Sequence, residues 1–153
     1  MYVRKLTHCI PESSVFEGTI PKNIGDMESL EVFTAKNNRR RDSDGLGGNL
    51  PESLGRLAGL VQLDISKNSL VGEIPSSLGQ CTNLETLVLE RNYLEGDVPA
   101  ELGNLLAIKE MNLKRNLLEG EVPPALCSYA EAESIQVDCS VECRCCTNYD
   151  CGN

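Results

Sequence analysis

Eight cysteines and a single histidine carry most of the reactive chemistry that this 153-residue sequence offers. Six of the cysteines, Cys127, Cys139, Cys143, Cys145, Cys146 and Cys151, crowd into the last 27 residues. Thiols at that density are expected to be oxidised to disulfides, which fits an extracellular or endomembrane compartment and a stapled terminus. Cys145 and Cys146 are not expected to bond to each other, because a bridge between adjacent residues is strained. Zinc is the alternative use for these thiolates; no histidine follows them, so no metal is assigned. His8, as the lone imidazole, leaves no room for a site with two histidines.

Other reactive arrangements fail on spacing. There is no G-x4-G-K-[ST], no G-x-S-x-G and no H-E-x-x-H, and Gly45-Leu46-Gly47-Gly48 reads as a turn rather than a phosphate cradle. The sequence therefore predicts no catalytic residue and no cofactor. The net charge of −9 argues against nucleic acid, whose phosphates need a concentrated basic field. At 41% apolar residues the composition is globular, and no run of 18 uncharged apolar residues could span a membrane.

What the chain does have is a repeat. Ile20-Pro21, Leu50-Pro51, Ile74-Pro75, Val98-Pro99 and Val122-Pro123 are separated by 30, 24, 24 and 24 residues. Gly18, Gly48, Gly72, Gly96 and Gly120 stand two residues before each apolar member, and Asn68, Asn92 and Asn116 stand four residues before the last three of these glycines. The unit reads L-x-x-L-x-L-x-x-N-x-L-x-G-x-[IV]-P-x-x-L-G. It resembles the plant-type leucine-rich repeat (LRR) over roughly residues 6–127, and a motif of that length repeated in register is highly specific.

The resemblance implies an α/β fold: a right-handed LRR solenoid of about five repeats, with a parallel concave sheet and short convex helices. Residues 1–127 form the array, with an insertion at 39–44, and 128–153 form a cysteine-rich cap similar to those of some algal plant-type LRR proteins. Each position also has its own physical reason. Leu63 and Ile65, with their equivalents Leu87, Leu89, Met111 and Leu113, alternate inward on short strands. The asparagines can satisfy backbone groups buried between coils. The first glycines allow φ > 0, the prolines suit the first position of a short helix, and Gly25, Gly55, Gly79 and Gly103 are expected where that helix ends.

Departures from the pattern are informative. Counting back from Pro21 puts Leu6, Cys9 and Pro11 at the strand positions and Ser14 at the asparagine position, and a proline there predicts an edge strand. Because no apolar leader precedes a repeat starting so near residue 1, the sequence reads either as a piece of a longer chain or as a short protein in its own right. Cys9 and Cys81 align with leucines and are read as buried hydrophobes. Cys127 replaces the glycine after Leu126, so it is expected to join the last coil to the tail through Cys139 or Cys143.

The residues between the inward positions face outward, and over five strands they include six acids and six bases. Lys67, Arg91 and Arg115 fall in one column, with Arg39, Arg40 and Arg41 at its end and Lys36 and Lys114 beside it. With Asp64, Glu90 and Asn112 these residues form the candidate partner-binding set, suited to an acidic patch on a protein or peptide, or to an acidic glycan. The alternative is that the bases are solvated charges paired to Glu85, Glu90 and Glu110. The expected function is a non-catalytic recognition module, of the kind found in receptor-like kinase ectodomains and secreted LRR inhibitors. An intracellular scaffold, favoured by the absence of an N-x-[ST] sequon, and a carbohydrate-active enzyme are the alternatives.

Overall fold

A computed structural model describes residues 8–9, 17–39, 45–129 and 135–146. Numbered along the chain, one parallel sheet runs in the order β1 (His8–Cys9), β3 (Val32–Thr34), β5 (Gln62–Asp64), β7 (Thr86–Val88), β9 (Glu110–Asn112) and β11 (Ile135–Gln136). Leu63 pairs with Leu87 and Leu87 with Met111, so the strand register is the 24-residue sequence period. Cys9 pairs with Phe33, which fixes the degenerate first coil in the expected register, and β1 lies at the sheet edge.

A second parallel sheet, which the repeat pattern did not announce, joins β2 (Gly18–Thr19), β4 (Leu46–Gly48), β6 (Ser69–Gly72), β8 (Tyr93–Asp97) and β10 (Leu117–Glu119). A glycine with φ between 69° and 109° recurs in or just after these strands, and such residues speak against strand formation. The signal lay instead in the alternation of Tyr93, Leu94 and Glu95, exposed, buried and exposed.

Between the sheets the leucines fill the spine. Leu54, Leu57, Leu60, Leu63, Ile65 and Leu70 of one coil are wholly buried, as are Leu78, Leu84, Leu87, Leu89 and Leu94 of the next. Each such side chain contributes roughly 1.5–3 kcal/mol, but only when a neighbouring coil covers it.

The convex side is built of 3-10 turns at Ile24–Asp26, Glu52–Arg56, Ser76–Gln80 and Ala100–Asn104, and of α1 (Leu126–Tyr129). Two expectations need correction here. Pro51, Pro75 and Pro99 precede their turns in extended conformation instead of opening them, and their carbonyls accept the first turn bonds from Leu54, Leu78 and Leu102. Gly55 and Gly79 lie inside the turns rather than at their ends. A Cβ there would fall onto the carbonyl oxygen of Ser77 or Glu101 in the next coil, and one on Gly25 would meet that of Ser53. Close packing of coil on coil, not helix termination, requires these glycines.

The tail continues the stack. Ile135 pairs with Met111, Val137 and Val141 are buried, and Glu142 bridges to Glu121. Disulfides join Cys127 to Cys145 and Cys143 to Cys146, and Cys139 is also disulfide-bonded. Cys127 thus finds Cys145, not Cys139 or Cys143, while the two adjacent cysteines stay unbonded to each other as expected. The Cys143–Cys146 bridge closes a C-x2-C spacing. Cys81 is free and buried, and its thiol donates to the Leu54 carbonyl at 3.3 Å.

Candidate ligand-binding face

The face is positioned by asparagines. Asn92 Nδ2 donates to Leu89 O of its own coil and to Ile65 O of the preceding one, both at 3.0 Å, while its Oδ1 accepts Leu70 N at 3.1 Å. Asn68 repeats the arrangement with Ile65 O, Ala35 O and Leu46 N, and Asn116 with Leu113 O, Leu89 O and Leu94 N. Each amide bonds three backbone groups, and Ile65 O and Leu89 O are each shared by the asparagines of two successive coils, so the ladder is continuous. In the cap the Asp138 carboxylate accepts Asn116 N at 2.9 Å.

One residue before each asparagine the backbone turns left-handed. Asn37, Lys67, Arg91 and Arg115 have φ of 58–60°, a region that non-glycine residues rarely adopt. Coil-to-coil bonds hold them there: Asn37 N donates to Ser66 O, Lys67 N to Glu90 O and Arg91 N to Lys114 O, at 2.8–2.9 Å. The outcome is a ridge between the two sheets on which Lys67, Arg91 and Arg115 stand exposed, stepped by the ~4.8 Å spacing of neighbouring strands.

The other predicted residues divide. Asp64 Oδ1 accepts both the backbone N–H and the hydroxyl of Ser66, and Asn112 Oδ1 accepts Lys114 N, so each braces its own loop. Glu90 lies 3.3 Å from Arg91 Nε. The Arg91–Glu90 pair within the column and the Lys109–Glu85 pair outside it, at 2.6 Å, are both of the kind the solvated-charge alternative expects, while Lys67 and Arg115 of the column pair with no acid among the described residues. Lys36 is exposed beside Asn37, and Lys114 is half-buried beside Arg115. Arg39 N donates to Lys67 O, and its guanidinium stacks over the Tyr93 ring at 5.0 Å, so the root of the insertion leans along the ridge. Arg40 and Arg41 lie outside the described residues. Tyr93, which the sequence reading did not single out, could have been found only by recognising its strand.

Chemically the face offers cations and hydrogen-bond donors on a rigid support. Among the described residues no group of three His, Cys, Asp or Glu side chains could hold a metal ion. Among the described residues the one displaced titration belongs to Cys81, whose thiol is pushed up to about 11 by burial, the opposite of what a nucleophile needs.

Residues 59–81 and 83–105 match the Leucine Rich Repeat family, and the strand pairing continues on both sides of them, with an offset of 24 residues from β9 to β11 and from β1 to β3 and of 30 from β3 to β5, across the insertion. The described chain is built of leucine-rich repeats. No curated protein matches the sequence. Among solved structures, this LRR chain is similar to the plant peptide hormone receptor RGFR1 in complex with RGF2, at 30% identity and a TM-score of 0.69, covering 83% of this chain and 19% of that one. It is similar to the BIR2 ectodomain from Arabidopsis thaliana, at 29% identity and 0.72, covering 87% and 67%. The Arabidopsis receptor kinase HAESA, solved with the peptide hormone IDA and the co-receptor SERK1, gives 28% identity and 0.74, covering 89% and 21%. The LRR chain thus spans about a fifth of the length of the RGFR1 and HAESA chains. None of its described helices is long and apolar enough to cross a membrane.

Proposed function

We propose that this LRR chain is an extracellular, non-catalytic recognition module whose ridge of Lys67, Arg91 and Arg115, extended by Arg39, Arg40, Arg41, Lys36 and Lys114, binds an acidic segment of a peptide or protein. The observation that carries the reading is the ridge itself. Three cations in successive coils share one left-handed backbone conformation and one outward direction. Lys and Arg are poorly suited to that conformation, at a cost of about 1 kcal/mol or more each, which makes their recurrence there a pointer to use. Asp64, Glu90 and Asn112 serve as bracing residues beneath it.

Similarity to receptors solved with peptide hormones supports a peptide or protein ligand over a glycan. The cap disulfides support an oxidising compartment over the cytoplasm. The test is selection of binders from a displayed peptide library, followed by calorimetry of the best acidic peptide. Arg91→Glu with Arg115→Glu should weaken that peptide at least about tenfold, two charge-assisted contacts being worth more than 1.4 kcal/mol together. An unchanged dissociation constant would remove the ridge from the account.

A further inference from the structure

The second sheet presents an outer face over which, among the described residues, no helix or strand packs, the Arg39 guanidinium above Tyr93 being the one side chain laid across it. Across it, in three successive coils, the side chains change character in the same order. Nearest the ridge are the bases Lys67, Arg91 and Arg115. Two residues along each strand, Tyr93 and Leu117 are 40% and 59% exposed, with Ser69 in line with them. Beyond these come the acids Glu95 and Glu119, in line with Val71, which is 42% exposed. In these three coils the far margin is acidic, at Glu73, Asp97 and Glu121. Glu121 pairs with Arg144 at 3.6 Å, whereas Glu73, Glu95, Asp97 and Glu119 have no cationic partner among the described residues.

We propose that this face joins two copies of the chain about a two-fold axis parallel to the solenoid. A basic–apolar–acidic order is self-complementary under that operation and under no other in-plane two-fold: turning a copy about an axis along the stack brings its basic column over the acidic columns of the first. An axis across the stack would set bases on bases. Because a two-fold carries no shift along its axis, coils meet coils of the same number. With Tyr93 and Leu117 meeting their own counterparts at the centre, Arg91 of one copy faces Glu95 of the other and Arg115 faces Glu119, with Asp97 and Glu121 one step beyond, while Lys67 faces Val71 with Glu73 one step beyond. Both columns share the strand spacing, so the charges stay in step along the stack.

The size of the face sets the strength. Five strands at ~4.8 Å by about 20 Å of strand and ridge give about 500 Å² per copy, the lower end of specific interfaces. Association should therefore be weak, with a dissociation constant on the order of 100 µM at low salt, and steeply screened. The proposal does not rest on the ligand reading. The two share the basic ridge, so an acidic ligand and a second copy compete for it.

Sedimentation of the full oxidised chain tests this. The wild type should dimerise at about 0.05 M salt and be monomeric at about 0.5 M. Glu95→Lys with Glu119→Lys should abolish the dimer at low salt, and Glu95→Gln with Glu119→Gln should weaken it about tenfold, while neither reduces affinity for a ridge-bound acidic peptide. Arg91→Glu with Arg115→Glu should also be monomeric, and mixing it with the Glu95→Lys, Glu119→Lys protein should restore a dimer containing one of each. Matching circular dichroism and melting curves establish that the variants are folded. A wild type that stays monomeric at low salt, an acid-reversed variant that dimerises as well as wild type, or a mixture that fails to associate would each overturn the proposal.

Discussion

Asn92→Ala is the sharpest perturbation of the scaffold beneath the ridge. It removes three hydrogen bonds of 3.0–3.1 Å and leaves Leu70 N without its side-chain partner, while Ile65 O keeps Asn68 Nδ2 and Leu89 O keeps Asn116 Nδ2. Three net bonds are worth about 3 kcal/mol. Burial of the one stranded N–H raises the cost to about 4 kcal/mol, a large part of the 5–15 kcal/mol that holds a domain together. Asn83→Ala is the control, since Asn83 makes one exposed bond of 2.8 Å to Ala58 O and should cost less than about 0.5 kcal/mol. Urea unfolding of the oxidised chain followed by circular dichroism measures both. A smaller denaturant slope in Asn92→Ala would show the outer coils melting separately, as nearest-neighbour coupling allows. A loss below about 1 kcal/mol with an unchanged slope would refute the role given to the ladder.

Gly79→Ala should destabilise by about 3 kcal/mol, because its Cβ would fall on the Glu101 carbonyl, whereas Gly103→Ala, whose Cβ meets Ala125 Cβ at 3.2 Å and Pro123 Cβ at 3.4 Å, should cost clearly less; thermal melting separates them. Replacing Cys127 and Cys145 together by serine opens an 18-residue loop and should lower stability by about 3 kcal/mol, read by urea unfolding without reductant. Cys81, with its thiol raised from 9.0 to about 11, keeps its proton in the folded chain while the unfolded chain releases it. Stability should therefore be full below pH 9 and fall by roughly 1 kcal/mol per pH unit between 9 and 11, and the difference between wild type and Cys81→Ala across that window isolates the contribution.

Much of the fold was legible because one residue at each repeat position has one job. Leu63, Leu87 and Met111 mark the inward side of β5, β7 and β9, and Asn68, Asn92 and Asn116 mark the turn that follows. The basic column was legible for the same reason, since a fixed period places Lys67, Arg91 and Arg115 in line. Its left-handed backbone was not, because lysine and arginine carry no local preference for it; the coil-to-coil bonds impose it. The second sheet was hidden by its glycines, and Gly55 and Gly79 were misjudged because their reason lies in the neighbouring coil. Disulfide partners depend on how the tail folds back over Val122 and Leu126, which spacing alone does not encode.

The central claim is that the stacked coils exist to hold the ridge of Lys67, Arg91 and Arg115 rigidly toward a partner. Backbone amide chemical shifts of the labelled chain, recorded while an acidic peptide chosen by selection is titrated in, test it directly. The account predicts saturable shifts concentrated in residues 64–68, 88–92 and 112–116. Shifts confined to the convex 3-10 turns or to the disulfide-bonded cap, with those segments unmoved, would contradict it.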